Sequence, residues 1–164
     1  MDRREWYTYL DKCDRSFNLM ATTTTNFGFD IPTSSDLVKN GATAIAELGQ
    51  DIDTKFAGLT VNAQTGTTYT AVKADGLNAI VTMNNASANT FYIPTDATYA
   101  FPNGTTLLVY MKGAGVTTIT ATTPATTTVE SAGAASGSPV LARYKSAACI
   151  KIAANSWIVF GGIA

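Results

Sequence analysis

"TTYTAVKADGLNAIVTMNNASANTFYIP" (Thr67–Pro94) decides the reading of this chain. Three short runs within it, "TTYTAVK" (67–73), "NAIVTM" (78–83) and "NTFYIP" (89–94), alternate apolar and polar residues with period two and are rich in β-branched and aromatic side chains. That pattern suits a pleated, half-buried surface and predicts strands. "DG" at 75–76 and "NNASAN" at 84–89 separate the runs, and these residue types favour turns.

Downstream the same alternation continues in "TTLLVYMK" (105–112), "VTTITAT" (116–122), "TTTVES" (126–131), "PVLARYK" (139–145), "AACIKIA" (147–153) and "SWIVFGGI" (156–163). "PNG" (102–104), "GAG" (113–115), "AGAASGSP" (132–139) and "AN" (154–155) punctuate it. Strands at roughly 8–12-residue spacing predict a mainly β domain over 60–164, an antiparallel sandwich or barrel. "TTLLVYM" and "WIVF" are apolar on both faces, so these strands are expected to be covered on both sides. In so small a domain the second cover is often another subunit.

Upstream, the style changes. After "TSSD" (Thr33–Asp36), a capping-box pattern, Val38, Ile45, Ile52 and Leu59 recur at seven-residue spacing. Gly41, Leu48 and Lys55 follow three residues on, and Ala42, Gly49 and Phe56 four residues on. One amphipathic helix is therefore expected within 34–59, about 20 residues and ~30 Å long. Gly41 and Gly49 each cost about 1 kcal/mol against alanine, so this helix needs a partner surface. Its apolar residues Val38, Ile45, Leu48, Ile52, Phe56 and Leu59 are the candidate seam. Two arrangements fit: a short three-helix seam between copies, or a helix docked on its own β domain or on a neighbouring protein.

Residues 20–33 hold Gly28 and Pro32 without helical period and read as an extended arm. Residues 1–19 concentrate charge and differ from everything after them. Two readings stand for them: an extension from an upstream start, with Met20 as the natural first residue, or a short N-terminal helix.

Composition narrows the function. Charged residues make up 14% of the chain, against roughly 25% in ordinary soluble domains, and threonine stands in for lysine and glutamate. A formal net charge of −1 argues against nucleic-acid binding through a basic face. No apolar run approaches the roughly 18 residues of a membrane-spanning helix, and the polar N-terminus has no signal-peptide core. Cys13 and Cys149 are too few and too distant for a disulfide framework, so Cys149 reads as a core residue and the chain is expected to fold in a cytoplasm.

There is no histidine, which removes the commonest general base and zinc ligand. Asp51 and Asp53 point in different directions on a helix, and Asp75 and Asp96 read as turn residues. The glycines of "GAGVTT" and "SAGAASG" lack the strand–loop–helix setting of a phosphate loop. No catalytic residue, metal site or cofactor is expected. Tyr92, Tyr99 and Tyr110 offer stacking faces for a glycan; the competing reading puts Phe91, Phe101, Trp157 and Phe160 in the core and the tyrosines at sheet rims.

"TTTNFGFDIPTSSDLVKNGATAIAELGQDIDT" resembles the N-terminal segment of small virion structural proteins of tailed bacteriophages, of the minor tail or fibre kind. "TYTAVKADGLNAIVTMNNASANTFYIPTDATYAFPNGTTLLVYMKGAG" and "LARYKSAACIKIAANSWIVFGGIA" are similar to their β region, so the resemblance spans residues 21–164. It implies a non-enzymatic virion protein, homotrimeric, made in the host bacterial cytoplasm. It would be attached to capsid or tail by its N-terminal segment, with Phe27, Phe29 and Pro32 as the anchor arm. The absence of shaft repeats suits a short appendage or decoration, with the β domain exposed. The alternative is a host-receptor module of the tail that binds glycan.

Overall fold

The computed structural model describes residues 22–24, 29–31, 38–132 and 137–163. The chain is mainly β with one helix, and it divides into two compact units, 1–54 and 55–164.

In the first unit, strands β1 (Thr22–Thr23) and β2 (Asp30–Ile31) pair antiparallel, with Thr22 opposite Ile31. The Thr24 N–H donates to the Phe29 carbonyl at 2.8 Å, and the Phe29 N–H donates to Thr24 Oγ1 at 2.9 Å. Both strands lie within the expected extended arm of 20–33. Helix α1 (Val38–Phe56) has 19 residues and lies inside the expected 34–59. The "TSSD" cap, residues 1–19, Phe27 and Pro32 lie outside the described residues. Lys55 sits in the last turn of α1, where a cation complements the helix dipole. In the second unit, Asn78 Nδ2 donates to the carbonyls of Lys55 at 2.6 Å and Gly58 at 2.7 Å. The Lys55 carbonyl is among those that a helix end leaves without partners, and Gly58 lies two residues past that end.

The second unit holds β3 (Thr60–Gln64), β4 (Thr68–Thr70), a 3-10 turn (Lys73–Gly76), β5 (Ala79–Met83) and β6 (Asn89–Ile93). It continues with β7 (Thr106–Met111), β8 (Thr117–Ala121), β9 (Thr128–Ser131), β10 (Val140–Leu141), β11 (Ser146–Ala153) and β12 (Ser156–Gly161). These strands form a six-stranded sheet, β3-β5-β7-β11-β12-β9, and a four-stranded sheet, β10-β8-β6-β4.

The expected antiparallel pairing holds for β10 on β8, β11 on β7 and β12 on β11, but the other strand pairs of this unit run parallel. From β3 to β8 successive strands fall alternately in the two sheets, so neighbours within a sheet are two strands apart in sequence and run parallel: β3, β5 and β7 in one, β4, β6 and β8 in the other. The chain winds as a coil that adds one strand to each sheet per turn. Antiparallel pairing closes the coil, with β10 on β8, β11 on β7 and β12 on β11, while β9 runs parallel to β12. Period-two alternation places side chains inside or outside but is the same for both pairing directions, so it carries no information on this point.

The inner faces of the two sheets share one hydrophobic cluster. Val81, Met83, Leu107, Val109, Met111, Cys149, Trp157 and Val159 come from the larger sheet, and Phe91, Ile93, Ile119 and Leu141 from the smaller. The Phe101 ring meets Trp157 edge-on at 5.6 Å, a favoured aromatic arrangement. Phe160, expected in the core, is instead 51% exposed: it faces out from β12, one position past inward Val159.

An internal repeat accompanies the coil. Leu108 pairs with Ile80 and Thr117 with Asn89, each 28 residues apart. At that offset Val81 and Val109, Met83 and Met111, Ala86 and Ala114, and Thr90 and Thr118 are identical. The turns between sheets stack as well. Asn85 Nδ2 donates to the Thr65 carbonyl at 2.7 Å, and the Gly115 N–H donates to the Asn85 carbonyl at 3.1 Å. A Cβ on Gly113 would meet the Asn85 backbone and one on Gly115 the Ser87 backbone, so glycine lets the third turn approach the second.

Candidate functional surfaces

Along α1, Ala44 is the one buried position among those described. Of the seam candidates, Ile45 is 63% exposed, Ile52 41% and Phe56 74%; Leu59, beyond the helix, is 50% exposed. Leu48 is half-buried, and Val38 opens the helix. Ile45, Ile52 and Leu59, at heptad spacing, thus form an exposed apolar series. Of the anchor-arm candidates, Phe29 is half-buried beside Thr24.

The tyrosines are not brought together. Tyr92 faces outward from β6 in the four-stranded sheet, and Tyr110 outward from β7 in the six-stranded sheet, so they stand on opposite outer faces. Tyr99 lies between β6 and β7, its ring 6.4 Å from Phe101. No single stacking platform contains all three.

Three polar constellations lie inside the β unit, and each holds backbone in place. At the first coil, Asn62 Nδ2 donates to the Tyr69 hydroxyl and to Asp75 Oδ1, both at 2.7 Å. Tyr69 Oη donates to Asp75 Oδ2 at 2.8 Å, which also accepts the Val72 N–H at 2.8 Å. Asp75 therefore caps its own turn, as its place before Gly76 predicts, and it is buried in doing so. Between the sheets' turns, Thr117 donates to Asn89 Oδ1 at 2.6 Å, and both residues are buried.

The third constellation was not foreseen. Lys151, 3% exposed, donates to Asp96 Oδ1 and to the Phe101 carbonyl, both at 2.6 Å. The Asp96 N–H donates to Asn155 Oδ1 at 2.8 Å, and the Asn155 N–H donates to Asp96 Oδ2 at 3.1 Å. Asn155, at φ 49°, turns the chain between β11 and β12. A lysine at an inward position of "AACIKIA" demands a counter-charge, and that was the legible signal.

Burial pushes the Cys149 thiol up to about 12. Burial first, and then its hydrogen bond to Asp75, push the Tyr69 phenol up to about 12. Both stay neutral in the folded protein at pH values where the unfolded chain ionises them. The stability they confer is complete below about pH 9 and is lost as pH rises towards about 12. Thermal melts should therefore show a midpoint that holds between pH 7 and 8.5 and falls steadily above pH 9.

A cleft of about 190 Å³ lies between β8 and β9, lined mainly by Thr120, Pro124, Thr127, Thr128 and Ser138. It offers hydroxyls but no charge and no aromatic face. Among the described residues no group of histidine, cysteine, aspartate and glutamate side chains could hold a metal ion, and no helix is long and apolar enough to cross a membrane. No family model matches the chain, and no curated protein or solved structure is significantly similar to it.

Proposed function

We propose that this chain is a non-enzymatic structural protein of a tailed-phage virion. It forms a short homotrimeric appendage or decoration, joined to capsid or tail by its N-terminal segment, with the β unit as an exposed sandwich. The observation that carries the reading is the exposed apolar series of Ile45, Ile52 and Leu59 at heptad spacing, with Phe56 beside it, on a glycine-containing segment. Such a helix is marginal alone and gains stability by burying its stripe against other copies or another virion protein. The polar constellations support the same reading, since each secures a turn rather than presenting reactive groups to a cleft. The resemblance of residues 21–164 to minor tail and fibre proteins names the setting.

The receptor alternative, glycan binding through Tyr92, Tyr99 and Tyr110, has less support because these residues stand on different surfaces. Virion incorporation tests the proposal. A phage whose copy lacks residues 21–59 is expected to yield particles without this protein, while the β unit stays folded by circular dichroism. Incorporation of the truncated chain overturns the anchor assignment. Saturable binding of the full chain on a glycan array would favour the receptor reading instead.

A further inference from the structure

The two outer faces of the β unit are built differently. On the four-stranded sheet the outward row is Thr68, Thr90, Thr118 and Val140, with Thr70, Tyr92 and Thr120 beside it. On the six-stranded sheet the outward row is Val61, Ile80, Leu108, Ala148 and Phe160, each paired in register with the next. Ile150 and Ile158 are paired two residues further along. Threonine and the β-branched aliphatics serve a strand about equally well. Threonine dominates the first face, whereas on the second an apolar row crosses five strands, flanked by Thr82, Tyr110 and Ser146, and such a row marks a surface that becomes covered.

We infer that the outer face of the six-stranded sheet is an interface with further copies of this chain. Three observations select a second copy as the cover. Among the strand positions facing outward on this sheet Glu130, on edge strand β9, is the sole charged residue, so the face has nothing to offer a charged partner and is complementary to itself. The row begins at Val61, 66% exposed, directly after exposed Phe56 and Leu59, so along the chain it continues the apolar series assigned above to assembly. Its size is also suitable. Six strands about 4.8 Å apart and about five residues long give roughly 500 Å² in projection. A corrugated surface exceeds its projection, which brings the face to the order of the ~800 Å² that each partner buries in a standard interface. The inference places the subunit contact on the β unit as well as on the helix, and it stands whether or not the protein belongs to a virion.

Sedimentation velocity of the full-length protein at micromolar concentration tests it. The wild type is expected to associate, and Leu108→Lys to weaken association at least tenfold while the thermal transition remains cooperative. Should Leu108→Lys fail to fold, the double variant Val61→Thr/Phe160→Thr gives the answer, because both side chains are already exposed and threonine is what the opposite sheet uses. Loss of association in that variant supports the interface. A monomeric wild type overturns it, and so does association that survives the sheet variants and is lost only in Ile45→Asp.

Discussion

Gly115→Ala is expected to lower the melting temperature by about 10 °C, a loss of roughly 2–4 kcal/mol for a change of one methyl group. The cause is the stacking of turns in the coil. A Cβ on Gly115 would lie 2.5 Å from the carbonyl carbon of Ser87, and one on Gly113 would lie 2.7 Å from that of Asn85. Both obstacles are backbone, so no side chain can rotate away. Relief requires the third turn to lift off the second, which stretches the bond from the Gly115 N–H to the Asn85 carbonyl. The Lys112 N–H bond to the Met83 carbonyl, at 2.8 Å, lies next in line. Gly113→Ala should behave alike. Ala114→Ser, at the exposed position between the two glycines, should change the stability by no more than about 0.5 kcal/mol. Differential scanning calorimetry of the three variants checks the contrast, and a stable Gly115→Ala would show that the turns do not stack as described.

Asp96→Ala is expected to cost roughly 2–4 kcal/mol, by leaving the Lys151 ammonium buried with only the Phe101 carbonyl as partner. One further bond goes with the carboxylate: the Asn155 N–H loses its acceptor, which weakens the tie between the β6–β7 segment and the β11–β12 turn and leaves the bond from the residue-96 N–H to Asn155 Oδ1 to hold it. The magnitude sits at the lower end of buried-pair effects because Asp96 is 23% exposed, so water can reach its place. Replacing both partners, as Asp96→Leu with Lys151→Met, should recover most of the loss, since an apolar pair avoids the desolvation that the ions incur. Urea denaturation of single and double variants separates the cases. Equal instability of all would show that the loop depends on the Asp96 turn geometry and not on the charge pair.

Much of this architecture was legible in the residues. Val81, Met83, Phe91, Ile93, Val109 and Met111 alternate with polar or outward residues, and each lies on the inner face that this alternation predicts. Heptad spacing placed α1 within a few residues, because the 3.6-residue period is a strong signal over 19 positions. The direction of strand pairing was hidden, since a strand's alternation is blind to what lies beside it. The 28-residue repeat was hidden too. It preserves inside and outside more than identity: Phe91 corresponds to Ile119 and Asn89 to Thr117. Glycines that first read as simple turn markers, Gly113 and Gly115, act through residues 28 positions earlier. Strand β3 escaped notice because its inward positions, Asn62 and Gln64, are polar and belong to the Tyr69–Asp75 network. Of the two sides expected to be covered in "TTLLVYM" and "WIVF", one is the buried core and the other is half-buried, at Leu108 and Ile158 on one outer face.

Joining copies of this chain is the role proposed for the apolar surfaces of the helix and of one sheet. Native mass spectrometry of the full-length protein at low micromolar concentration tests it most directly. A dominant species of three chains of 17.2 kDa each is expected. A single 17.2 kDa species that persists at tens of micromolar would contradict it.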